Sequence, residues 1–160
     1  MRKIDQLLNE YGESHQNQTN KTVHWICVPA IMFSLIGLIW NIPSNILQEL
    51  LQVPGNAWVN FGSLFLVIAS LYYLKLSVPL FLGMLFISGA FAWGNVQLHA
   101  LGSSTHVALS IGIFVIAWVG QFIGHKIEGK KPSFLKDLQF LLIGPAWLLH
   151  FVYQKAGIRW

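Results

Sequence analysis

The sequence predicts an all-α integral membrane protein, a helical bundle of four transmembrane helices plus a short re-entrant or interfacial fifth segment. Three observations predict it. Hydrophobic residues make up 54% of the 160 and charged residues 10%, where soluble domains carry about a quarter charged. Apolar runs recur at close to the roughly 17–25 residues that cross a bilayer core as a helix. Finally, Lys and Arg are confined to alternate connections, the asymmetry that membrane topology imposes.

The elements follow in order. Residues 1–22 are polar and of mixed charge, a leader with room for one short helix. The first apolar run, 23–40, follows that mixed-charge leader and has no small-residue cleavage site after it, so it reads as a permanent helix and not a signal peptide. Runs 57–74 and 76–93 are joined by almost nothing, with Lys75, Ser77 and Pro79 at the junction, and predict a tight helical hairpin. Run 107–123 is the fourth span. A fifth run, 138–149, has only twelve residues and contains Gly144-Pro145; that is too short to span and suits a re-entrant segment. Pro29 and Pro145 are expected to kink or break their helices. With no internal repeat, residues 1–160 form a single membrane domain: leader, four spans over 23–123, then loop, re-entrant segment and tail over 124–160.

Topology follows from charge. Arg2, Lys3 and Lys21 lie before the first span, Lys75 in the hairpin, and Lys126, Lys130, Lys131 and Lys136 after the fourth, whereas 41–56 and 94–106 hold no Lys or Arg. Eight against none places the basic side in the cytoplasm. A fifth segment that does not span keeps Lys155 and Arg159 there too. The expected location is a multi-pass membrane, bacterial plasma membrane or endoplasmic reticulum, with both termini inside.

Several function classes drop out. The net charge of +4 reflects lysines at the membrane surface, and no aromatic–basic pattern points to nucleic acid. There is no nucleophile elbow, P-loop or dinucleotide glycine motif, and carboxylates are too few for a glycosidase pair. Gly120 and Gly124 form a GxxxG pattern, which serves packing within one chain or, less commonly, a homo-oligomer.

The histidines carry the chemical signal. His15, His24, His125 and His150 fall on the cytoplasmic side, from three separated segments at one membrane level, as ligands of one metal ion would. An interfacial histidine also simply caps or snorkels, so the pattern alone leaves both readings open. His99 and His106 fall on the opposite side and read as structural or surface residues. If the fourth helix continues past the membrane, Gln121, His125 and Glu128 share one side of it, and Tyr11 stands four residues before His15. Glu128, Gln121 and Asn20 are candidates to receive the second N–H of a ligating imidazole. Tyr11, Gln121 and Glu128 are the candidate catalytic groups, and Asn20 and Lys126 candidate supporting or substrate-attracting residues.

The stretches "YGESHQNQTNKTVHWICVP", "QFIGHKIEGKKPSF" and "LLIGPAWLL" together resemble the family of the yeast 2-hydroxy fatty acid dioxygenase. The shared pattern comprises Tyr11, His15, Asn20, His24-Trp25, Val28-Pro29, Gly124-His125, Glu128, Pro132 and Gly144-Pro145. The resemblance implies an Fe(2+)-dependent enzyme that uses O2 to shorten a long-chain 2-hydroxy fatty acid by one carbon, releasing CO2. It implies His15, His24 and His125 as iron ligands and leaves His150 unmatched. An all-histidine site departs from the two-His-one-carboxylate arrangement common among iron oxygenases, so Glu128 stands as ligand or as hydrogen-bond partner. A haem protein and a non-catalytic or transport-type membrane protein are the competing readings.

Overall fold

The computed structural model describes residues 2–131 and 139–159, which form seven α-helices and, among those residues, no strand. In chain order these are α1 (Lys3–Gly12), α2 (Gln18–Trp40), α3 (Asn45–Leu50), α4 (Phe61–Leu76), α5 (Val78–Ala100), α6 (Ser103–Glu128) and α7 (Gln139–Lys155). Pro132, Lys136 and Leu138, which the sequence reading used, lie outside the described residues.

Three helices, α2, α5 and α6, are long and apolar enough to cross a membrane, with mean hydropathies of 2.0, 1.4 and 2.1. At 1.5 Å per residue α2 alone is about 34 Å long. The expected second span is shorter than its apolar run. Asn60 caps α4 by accepting from the Ser63 N–H at 3.0 Å, so the helix begins at Phe61 and has 16 residues, with 57–60 in turns. The hairpin is as tight as expected: α4 ends at Leu76, α5 begins at Val78, and Ser77 alone is extended between them.

α2 is the central helix. It packs most extensively on α6 and also touches α4, α5 and α7. The glycine pattern of α6 is used here, inside the chain: a Cβ on Gly120 would lie 2.7 Å from Cys27 Sγ, and one on Gly124 2.5 Å from Asn20 Oδ1. Only hydrogen fits at either place, and that lets the two backbones approach. On the outward faces large apolar side chains stay uncovered, among them Ile26, Phe86 and Ile116 at 71%, 80% and 74% exposure. Water does not tolerate such a surface and lipid does.

The leader holds the short helix expected of it, and the fifth segment differs from expectation. The leader helix α1 is amphipathic, burying Ile4, Leu7, Leu8 and Tyr11 at i, i+3, i+4, i+7 spacing against α7. The fifth segment is not broken at Gly144-Pro145: α7 runs on through it for 17 residues. Proline removes one N–H and so deprives one carbonyl of its helical partner, but packing holds the helix together. Ile143, Ala146, Trp147 and Leu148 are buried, and Tyr73 donates from its hydroxyl to the Leu142 carbonyl at 2.8 Å.

The end of the bundle away from α1 is tied by polar groups. Asn41 Nδ2 donates to His106 Nδ1 at 2.9 Å, and His106 Nε2 donates to Asn95 Oδ1 at 2.9 Å. Asn95 Nδ2 in turn donates to the Phe91 and Phe33 carbonyls at 2.9 and 3.4 Å. His106 is thus a buried neutral link between α2, α5 and α6, not a surface residue.

Candidate metal centre

Three imidazoles converge where α1, α2 and α6 meet. His15 follows the last turn of α1, its amide bonded to the Gly12 carbonyl at 3.0 Å. The Tyr11 ring stacks on it at 4.2 Å and 12°, and Trp147 of α7 closes another side at 5.2 Å. His24 lies in the second turn of α2, a helix started by Asn17, whose side chain accepts from the Thr19 and Asn20 N–H groups. His125 comes from α6, which continues past the apolar run to Glu128. Its ring lies 4.9 Å from that of His15 and 5.0 Å from that of His24. All three are buried, and one ring nitrogen from each lies within 4.8 Å of the other two.

Hydrogen bonding fixes which nitrogens carry protons. His15 Nδ1 lies 2.5 Å from the Tyr11 carbonyl and His24 Nδ1 lies 2.8 Å from the Asn20 carbonyl. A carbonyl only accepts, so each Nδ1 bears the hydrogen and each Nε2 keeps a bare lone pair. Those two Nε2 atoms face one another at 2.8 Å. Two lone pairs at that distance repel unless a proton or a cation lies against both. A proton is disfavoured: burial, followed by the neighbouring His24, holds His15 down to about 3. A metal ion suits the pair, because ligands bound at about 2.1 Å at right angles stand about 3 Å apart. The three histidines can therefore hold a metal ion.

Glu128 is outside this group and does something else. Its Oε1 accepts from the Gln16 N–H at 2.8 Å, and its Oε2 from the Asn17 N–H and Asn20 Nδ2, both at 2.9 Å. The carboxylate thereby pins the segment between α1 and α2 to the end of α6, beside the N-terminus of α2, where negative charge is favoured. His15 and His24 pass their second N–H to backbone carbonyls and not to Glu128, Gln121 or Asn20, whereas His125 Nδ1 is buried without a hydrogen-bond partner. Asn20 is fully buried, its Oδ1 without a hydrogen-bond partner.

The remaining predicted residues divide. Tyr11 and Gln121 are buried and line a cavity of about 30 Å³ together with His125. That cavity turns apolar away from the histidine, along Ile31, Met32 and Trp118. Burial raises the Tyr11 phenol above its ordinary range, so it stays a hydrogen-bond donor. Lys126 is exposed while its neighbour His125 is buried. His150 is not brought to the other histidines; it lines a cleft between α1 and α7 with Asp5, Glu13 and Trp147. Sequence reasoning missed Trp147, which touches both Tyr11 and His15. Its one signal is its position a turn beyond Gly144 on the short apolar segment.

The sequence model described as 2-hydroxy-palmitic acid dioxygenase Mpo1-like matches residues 1–156, nearly the entire chain. The chain belongs to the Mpo1-like family. Among its relatives is the protein named 2-hydroxy-palmitic acid dioxygenase MPO1 from Saccharomyces cerevisiae, 27% identical over 157 residues that cover 94% of this chain and 79% of the yeast protein. No solved structure matches the chain. Membership of the Mpo1-like family, together with three buried histidines able to hold a metal, supports a dioxygenase-family enzyme.

Proposed function

We propose that this protein is an iron(II)-dependent membrane dioxygenase that converts a long-chain 2-hydroxy fatty acid into the acid one carbon shorter. The reaction balances without an external reductant: RCH(OH)COOH + O2 gives RCOOH + CO2 + H2O. The substrate's two terminal carbons supply the four electrons that O2 takes up. The observation carrying the proposal is the pair of bare Nε2 atoms of His15 and His24 at 2.8 Å, completed by His125 and opening on a cavity that turns from polar to apolar.

His15, His24 and His125 would hold the iron, which when bound supplies the redox chemistry that lets O2 react with a closed-shell acid. The chain's own residues do the rest. Tyr11 and Gln121 border the cavity beside His125 and are placed to donate hydrogen bonds to the carboxylate or hydroxyl of the head group. Tyr11 and Trp147 shield His15 from water. Glu128 keeps the His15 segment in register with α6, and Lys126 offers a surface charge to an arriving carboxylate. In this reading α2, α4, α5 and α6 span the bilayer, α1 and α7 lie on the cytoplasmic side, and the centre sits at that face.

The test uses detergent-solubilised protein with Fe(II), O2 and 2-hydroxyhexadecanoate, reading the C15 acid. Product from the wild type that falls at least about a hundredfold in His15→Ala, His24→Ala and His125→Ala is expected. No product from the wild type, or equal product from the variants, overturns the proposal.

A further inference from the structure

The cavity beside His125 also has a direction. It lies between α6 and α7, both of which pack on α2, and its lining runs down α2 from Val28 to Met32 and down α6 from His125 to Trp118. Seven residues along α6 and eight along α2, from His24, amount to about 10–12 Å of depth. Tyr11 and Gln121 line the cavity with His125, and Met32 and Trp118 lie furthest from the histidines along α2 and α6. Trp118 is half-buried, with Val115, Ile116, Val119 and Phe122 around it exposed on the lipid-facing side. Its ring contacts Phe114 and Phe122 along that face, at 6.0 and 5.6 Å. Trp118 therefore has one edge in the cavity and the other towards lipid.

We infer that Trp118 is the side gate of the acyl site: the substrate's first carbons lie along the cavity, and the rest of its chain leaves between α6 and α7 past this indole into the bilayer. The inference rests on the function proposed above and adds the route and the residue that sets chain-length preference. An extended chain advances about 1.2 Å per bond, so the distance from the level of the histidines to that of Trp118 corresponds to roughly eight to ten carbons. A C8 acid ends before the gate; a C16 acid must pass it. At about 30 Å³ the cavity as it stands has room for little more than water, so its apolar walls part for the first carbons of any acid, and Trp118 has to swing as well for a chain that runs past it. Entry from the side also keeps the acyl chain in apolar surroundings throughout, so its methylenes are never exposed to water.

The experiment compares 2-hydroxyoctanoate with 2-hydroxyhexadecanoate on the iron-loaded wild type, Trp118→Ala, Trp118→Phe and Trp93→Ala, the last a lipid-facing control on α5. Turnover is read as kcat and KM, and binding separately as the thermal shift each acid gives without O2. Trp118→Ala is expected to raise the C16:C8 ratio of kcat/KM at least about fivefold, through KM with kcat unchanged. Trp118→Phe should move it less and in the same direction, and Trp93→Ala not at all. An unchanged or lowered ratio in both Trp118 variants, by turnover and by binding, overturns the gate while leaving the function standing. Ratio-dependent binding without any C15 product does the reverse: the gate stands and the oxygenase reading falls.

Discussion

Glu128 is the residue on which the geometry of the centre turns, although it does not belong to the three-nitrogen group. Its two oxygens accept three hydrogen bonds from residues 16, 17 and 20. Glu128→Gln replaces one accepting oxygen with an amide that clashes with those donors. Iron retained per protein, measured after desalting, should fall about 10- to 100-fold, while the helical signal stays unchanged. His15 yields a pH prediction. In the fold it stays neutral to about 3, whereas in the unfolded chain it takes a proton near 6.5. The unfolded state binds more protons between those values, so stability is full above about pH 6.5 and falls below it, by up to about 1.4 kcal/mol per unit from this group. Melting of the metal-free protein at pH 7.5 and 5.5 should show the loss, and His15→Gln should reduce it.

At the scale of elements, the buried histidine at the far end ties three helices without touching the metal centre. His106→Leu leaves Asn95 Oδ1 and the Asn41 amide without their partner, and the cost should be about 1–2 kcal/mol in thermal or denaturant unfolding. Along α6 this site lies about 28 Å from His125, so iron retention should not change. Helix existence was legible because apolar runs report it directly. Helix ends were less so: α4 starts at a cap, Asn60, which an apolar count passes over, and α7 survives its proline because buried neighbours outweigh one lost hydrogen bond. The sequence leaves His106 open as structural or surface because a run of hydropathy says nothing of which side of a helix faces its neighbours, and burial decides for the structural role. The same gap explains the metal site. Membrane level and family resemblance singled out His15, His24 and His125, but not that His150, on the same level, turns towards the α1–α7 cleft.

For the molecule as a whole, the centre joins the α1–α2 connection to α6, and α7 covers it through Trp147. A metal bound only by the folded chain should therefore stabilise all of it. At a free-ion concentration a hundred times the dissociation constant the gain is about 2.7 kcal/mol. Adding a chelator should lower the melting temperature of the wild type and leave that of the His24→Ala variant, already metal-free, where it was. A chelator without effect on the wild type would mean that the histidines hold no ion.

The pairing of α2 with α6 also sets a schedule. Two of the three histidines emerge early in synthesis, and the third about a hundred residues later, roughly 5–20 s at ordinary elongation rates. Until α6 has folded back on α2, the nascent chain offers only two of the three imidazoles. A metal ion that needs all three would be taken up only when the bundle that shelters it is nearly complete.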